Sequence, residues 1–433
     1  RGPVNEPAQA EVTELTEDVR TVMRDQVAAV SIDKYWTAPG ITDRELTALT
    51  VGAQILGGLS SSRLDNTLVR DEQLAVSVSA GNYAWQRVGI LNVSATARPD
   101  VDEAEVERRL DELVAQFIAE GPTEDEVRRA ATSTVAGTIR GLEQVGGFGG
   151  KAVTLASGEV LADDPSFYAR QFEILATLTP GEVQAAMQRW MTRPSFTLVL
   201  EPGERDGSYE EAAGVAEAAG DGDPAEEVTV TKVRPAPPID SVAELDFPEV
   251  QHTTLANGMA LHYAQRDAIP ATYVTLSFDA GSTADPADKR GLEGLALGLF
   301  EEGTTTMSSR EIAETSERLG ANISLGGGAD RSSFTLSALS ANLVPSLELL
   351  SDIVRNPAFA QSEIDRVRAQ RITGVEQELR TPSAIAARTI SPLIYGAESP
   401  YAGPDTGTVA SLSAITREDI TGFKDRWIRP DNG

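Results

Sequence analysis

The 433-residue chain carries 37 basic and 66 acidic side chains, a formal charge of 37 − 66 = −29, with 41% hydrophobic residues, no cysteine and two histidines. The hydrophobic share supports real cores and excludes global disorder. The acidity argues against nucleic acid and anionic membrane surfaces, and the missing cysteines exclude disulfides, thiolate nucleophiles, cysteine zinc sites and iron–sulfur clusters.

No apolar run approaches the ~20 residues of a membrane span, and no signal-peptide pattern opens the chain. At roughly 100–200 residues per domain, the length predicts two to four domains. In chain order, PGITDRELTALTVGAQILGG (39–58) has helical spacing and ends at a Gly pair. Ser61-Ser62-Arg63, a second helix and alternating strands over 76–82 and 88–96 follow. Helices are predicted over 103–119, 123–144, 165–178 and 180–191, then a strand over 196–202. GGFGGK (146–151) is no phosphate loop, because Val145 takes the first Gly position and Ala152 the Ser/Thr position; it reads as a hinge loop. Residues 201–227 hold ten acids and one base, and VRPAPPIDS (233–241) follows, so 203–246 reads as a linker between a first part, 1–202, and a second, 247–433.

In the second part, TTLANGMALHYAQ (253–265) predicts a hairpin with Asn257-Gly258 at its turn. A strand over 272–281, a helix within 290–304, Ser308-Ser309-Arg310, another helix and strands over 323–329 and 332–340 come next. Helices over 343–354, 363–379 and 417–427 complete it. The two Ser-Ser-Arg triplets are 310 − 63 = 247 residues apart, and the strands starting at Val76 and Ile323 also differ by 323 − 76 = 247. One offset holding helix against helix and strand against strand is the mark of an internal duplication. Strands adjacent in sequence, with paired helices between, predict α+β layers on mostly antiparallel sheets rather than a doubly wound parallel sheet.

These runs together resemble the insulinase/pitrilysin-like zinc peptidases of peptidase family M16, relatives of the mitochondrial processing peptidase. TTLANGMALHY, VTLSFDAGSTADPADKRGLEGLALGLFEEGT, ISLGGGADRSSFTLSAL, FAQSEIDRVRAQRITGVEQELRTP and WIRPDNG resemble, in order, an N-terminal domain of that type. YWTAPGITDRELTALTVGAQILGGLSSSRLDNTLVRDEQLAVSVSA (35–80) resembles the C-terminal domain. The resemblance implies two metallohydrolase-like (LuxS-like, M16-type) domains: a C-terminal-type domain of one module, 1–202, and a degenerate N-terminal-type domain of the next, 247–433.

Active relatives carry H-x-x-E-H on the first helix, two imidazoles on one face gripping Zn²⁺ and a Glu activating water, with a further Glu from a second helix. Aligned on that pattern, the ligand positions fall on Gly294 and Gly298, the general base on Leu297, and the last ligand on Gly374, 374 − 298 = 76 residues on. None offers a lone pair from a side chain, so no catalytic residue and no metal are expected here. His262 lies in the predicted hairpin and His252 just before it, and both read as surface or strand-packing residues. Glu301, Glu302, Glu376 and Glu378 read as carboxylates of solvated helix faces, expected in a chain with 66 acids. In the partner half of such enzymes an Arg and a Tyr steady the substrate backbone; here Arg70 matches the first and Val76 stands at the second. Arg70 is therefore a substrate-contact candidate, with a structural ion pair to Asp71, to Glu72 or across the domain as the other reading.

The resemblance implies a non-catalytic wall of a zinc metalloendopeptidase clamshell that encloses peptide. The zinc then sits in a domain upstream of Arg1, and that domain and the peptide are the partners. The other reading is a non-catalytic assembly subunit of the same fold, like the core subunits of the bc1 complex. The Arg-Gly-Pro start, without an initiator Met, reads as a piece of something longer. Sheet edges left open by missing terminal strands predict homodimers. The lack of cysteine and the acidity suit a bacterial periplasm.

Overall fold

A computed structural model describes residues 15–205 and 247–433, so most of the predicted linker lies outside the described residues. The first unit opens with β1 (Val19–Asp25), β2 (Ser31–Pro39) and α1 (Arg44–Ala53), continued by π-helical turns at Gln54–Gly58 and Asp65–Asp71. Strands β3 (Ala75–Ala84) and β4 (Val88–Ala97) precede α2 (Glu103–Glu120), α3 (Glu124–Gly141), α4 (Lys151–Ala162), α5 (Phe167–Thr177), α6 (Pro180–Met191) and β5 (Phe196–Pro202). Period-2 alternation turns Ile32, Trp36, Leu91, Val93 and Val199 to one face, where they meet Leu49, Phe117 and Met187 of the helices in one core. The sheet order is β1-β5-β2-β4-β3, antiparallel except for the β1–β5 pair, where Val19 faces Phe196.

The second unit contains the hairpin β6 (Val250–Thr254) and β7 (Ala260–Ala264), then β8 (Ala271–Phe278), α7 (Leu292–Leu299), α8 (Ser309–Leu319), β9 (Asn322–Gly327) and β10 (Ser332–Leu339). Helices α9 (Leu343–Arg355), α10 (Gln361–Glu378), α11 (Pro382–Tyr395), α12 (Val409–Ala414) and α13 (Arg417–Trp427) follow. Gly258 turns the hairpin at φ +88°, a conformation that costs any residue with a Cβ. The main sheet, β8-β10-β9, is antiparallel throughout and repeats the order β2-β4-β3 of the first unit. Within its largely aliphatic core, Phe300 meets Phe334 and Phe359 edge to face at ring-centroid distances of 4.9 and 5.4 Å.

Gly203 and Arg205, placed in the linker by composition, belong to the first sheet's edge: the Gly203 N–H donates to the Asp25 carbonyl at 2.9 Å and Arg205 pairs with Asp25 at 3.2 Å. The GGFGGK segment is closed on itself, Lys151 N–H donating to the Gln144 carbonyl at 2.8 Å.

Candidate functional site

The two units meet along α3 and α8. Glu317 of α8 is buried and accepts from the Ser61 N–H at 3.1 Å and the Ser61 hydroxyl at 2.5 Å. Arg129 of α3, also buried, donates to the same carboxylate at 2.5 Å and pairs with Asp125 at 2.9 Å. Arg318 reaches across to Asp125 at 2.9 Å, and Gln370 donates to the Val76 carbonyl at 2.8 Å.

Arg70 lies on this seam. It pairs with Asp65 at 2.7 Å and, across the units, with Glu302 at 2.5 Å. Glu302 is shared with Arg366 at 2.6 Å. Asp71 and Glu72, the neighbours named from sequence, are taken by Arg310 at 3.2 Å and Arg109 at 2.7 Å. The reading of Glu301 and Glu302 as solvated is corrected: with Arg70, Ser60, Ser316 and Glu317 they line a cavity of about 360 Å³ between the units. Burial, reinforced by the Glu302 charge, pushes Glu301 up to about 7. Glu378 pairs with Arg388 and accepts from the Thr406 hydroxyl at 3.0 Å.

The four positions aligned with a metal site sit where α7 crosses α10. Asp285 sets the start of α7: its carboxylate accepts from the Gly291 N–H at 2.8 Å and the Glu293 N–H at 2.9 Å. Gly291, at φ +88°, makes that entry possible without strain. Leu297 faces inward and joins the core. Gly294 and Gly298 face α10, and the space beside them is filled by the Arg371 guanidinium. A Cβ on Gly294 would lie 3.1 Å from Nη1, and one on Gly298 3.1 Å from Nη2. Arg371 also donates to the Gly294 carbonyl. Gly374 is exposed, with no atom within 4 Å of where its Cβ would stand.

Glu293 lies in the same region, 4% exposed. Burial pushes its carboxyl up to about 7. The Ser332 hydroxyl is 2.5 Å from the Ala280 carbonyl and 2.8 Å from Glu293 Oε1, and its single hydrogen serves only one of them. The Ser332 hydroxyl's hydrogen bond to the carboxylate works against burial and pulls the Glu293 value back down. Burial pulls Arg371 below its ordinary value, with the Glu293 charge pushing it back up. The region thus holds a backbone surface, an aliphatic side chain, a guanidinium and two carboxyls raised by burial, Glu293 to about 7 and Asp285 to about 6. These do not fit a metal, whose ligands must offer lone pairs where this fold presents a cation. Among the described residues no group of three or more His, Asp or Glu is arranged to hold one.

Sequence reasoning missed Arg371. Its only signal was a cation three residues before Gly374, on the same side of α10. It also missed that His252 and His262 face each other. They are directly opposed in the β6–β7 pairing, with Nδ1 atoms 2.6 Å apart.

Comparison with known proteins adds the following. Residues 2–134 match the family described as "Peptidase M16 inactive domain", and residues 262–393 match "Insulinase (Peptidase family M16)". An uncharacterized zinc protease of Rickettsia felis is 22% identical over 178 residues, 41% of this chain and 43% of that protein. A non-peptidase homologue of Helicobacter pylori is 21% identical over 36% of each chain. The crystal structure of a peptidase M16 inactive domain from Pseudomonas fluorescens shares 28% identity, with a TM-score of 0.39, over 41% of this chain and 43% of that one. In each case the match spans less than half of the relative's own length.

Proposed function

Because the chain belongs to peptidase family M16, we propose that it is a non-catalytic portion of a zinc metalloendopeptidase, forming part of the wall that encloses a peptide substrate. The observation that carries this reading is the Arg371 guanidinium packed against Gly294 and Gly298, a cation of the chain's own at the two positions that align with the family's imidazole ligands. Zinc, in this reading, belongs to another domain of the same protein. The partners are that domain and an extended peptide adding to an open sheet edge such as β9, where main-chain hydrogen bonds give sequence tolerance. A charge of −29 favours basic peptides. The matching offset of 247 residues and the shared strand order support a duplication as the origin of the two units. A periplasmic setting and homodimer formation through open edges belong to the same reading; no helix among the described residues is long and apolar enough to cross a membrane.

The second reading, a scaffold subunit without any peptidase, is favoured by the likeness to a non-peptidase homologue. Gene sequence ahead of Arg1 separates the two, since an H-x-x-E-H one domain upstream supports the peptidase and its absence the scaffold. The direct test incubates the purified chain with unfolded basic peptides, with and without chelator. We expect peptide binding and no hydrolysis; chelator-sensitive cleavage by this chain alone would overturn the proposal.

A further inference from the structure

The β6–β7 hairpin pairs outside the main sheets, and its strand residues are exposed. On it stand the chain's two histidines, opposite each other in register, ring centroids 4.8 Å apart and planes at 76°. Their Nδ1 atoms face one another at 2.6 Å. Two lone pairs or two N–H groups so placed would repel, so one ring donates its Nδ1 hydrogen and the other accepts. The flanking pairs of the same register, Val250–Ala264 and Thr254–Ala260, bring neither a carboxylate nor a cation to the rings.

We propose that this pair is a binding site for a divalent transition metal, held through both Nδ1 atoms. Imidazole nitrogen suits Cu²⁺, Ni²⁺ and Zn²⁺, and Cu²⁺ binds first in the general order of affinity. Metal–nitrogen bonds of ~2.0–2.1 Å put two adjacent ligand atoms about 3 Å apart, so the Nδ1 atoms need separate by only a few tenths of an ångström while each ring rotates to turn its lone pair off the N···N axis and onto the metal. Solvent-exposed rings at a hairpin are free to do so. In the neutral pair the donor ring moves its hydrogen from Nδ1 to Nε2 through solvent, which leaves a lone pair on each Nδ1 and releases no net proton. Two protein ligands leave the remaining coordination positions to water or to a donor from another molecule, which makes the site open.

The test titrates the full chain with copper(II) chloride and reads the copper by electron paramagnetic resonance, beside H252N, H262N and the double variant. The substituted positions are exposed, and circular dichroism checks that each variant keeps its fold. The expected result is one equivalent of Cu²⁺ with two coordinated imidazole nitrogens, affinity falling at least tenfold in each single variant. Uptake that is equal in the parent and the double variant, or a signal with no imidazole nitrogen, overturns the proposal and leaves the pair a hydrogen bond only.

Discussion

At the scale of single residues, the account turns on Arg371. A guanidinium 3.1 Å from the positions of two absent β-carbons competes for the space in which imidazoles would have to stand. In an H252N/H262N background, which removes the hairpin histidines as ligands, G294H/G298H is therefore expected to lose about 1–3 kcal/mol to overpacking and to take up no zinc, while the same pair with R371A recovers part of the loss. Chemical denaturation with metal analysis checks both. Tight zinc in the G294H/G298H/H252N/H262N chain with Arg371 intact would contradict the reading. Glu301 gives a pH prediction. Its folded pKa of about 7 lies above the ordinary 4.5, so the stability it contributes is complete below 4.5 and is lost as pH rises through 7. E301Q, which does not titrate, should exceed the parent by about 1–2 kcal/mol near pH 8, with the gap closing toward acid. Denaturant midpoints across pH measure it; a gap that widens on acidification is the opposite sign. In sequence Arg371 carried no mark, and Glu301 read as one carboxylate of a solvated helix face. Arg371 is one of 37 basic residues and Glu301 one of 66 acids, and only tertiary packing singles them out.

At the scale of elements, local chemistry made much of the fold readable. Helix α6 runs from Pro180 to Met191 as expected, because Thr179 and Glu182 form a capping box and Pro180 occupies the first turn. The Asn-Gly turn likewise marked the hairpin. Helix α11 carries Ile385, Ile390, Leu393 and Ile394 but is punctuated by Pro382 and Pro392 and buries no residue, so its apolar pattern does not mark a core helix, and β2 interrupts its apolar face with buried Lys34. The π-helical turns at Gln54–Gly58 and Asp65–Asp71 have no periodicity that distinguishes them from α-helix. The α3–α8 seam was invisible for a different reason: Arg129 and Glu317 are 188 residues apart in the chain. Removing one partner of a buried pair strands the other, so E317A should cost about 3 kcal/mol and let the two units melt separately. Calorimetry would then show two transitions where the parent shows one; an unchanged single transition would mean the seam does not couple them.

At the scale of the molecule, two units with a shared strand order pack through a charged seam around a polar cavity, and two of the aligned metal positions of the second, Gly294 and Gly298, are closed by its own Arg371. The fold class was legible because strand alternation and helix pairing are local signals. The aligned positions were legible as glycines and a leucine, while what fills the space beside them was not. The most direct measurement is anomalous scattering at the zinc edge on crystals of the H252N/H262N chain soaked in zinc, which removes the hairpin histidines as ligands. The account predicts no peak between α7 and α10 and an Arg371 guanidinium against Gly294. An ordered zinc peak at that crossing would contradict it.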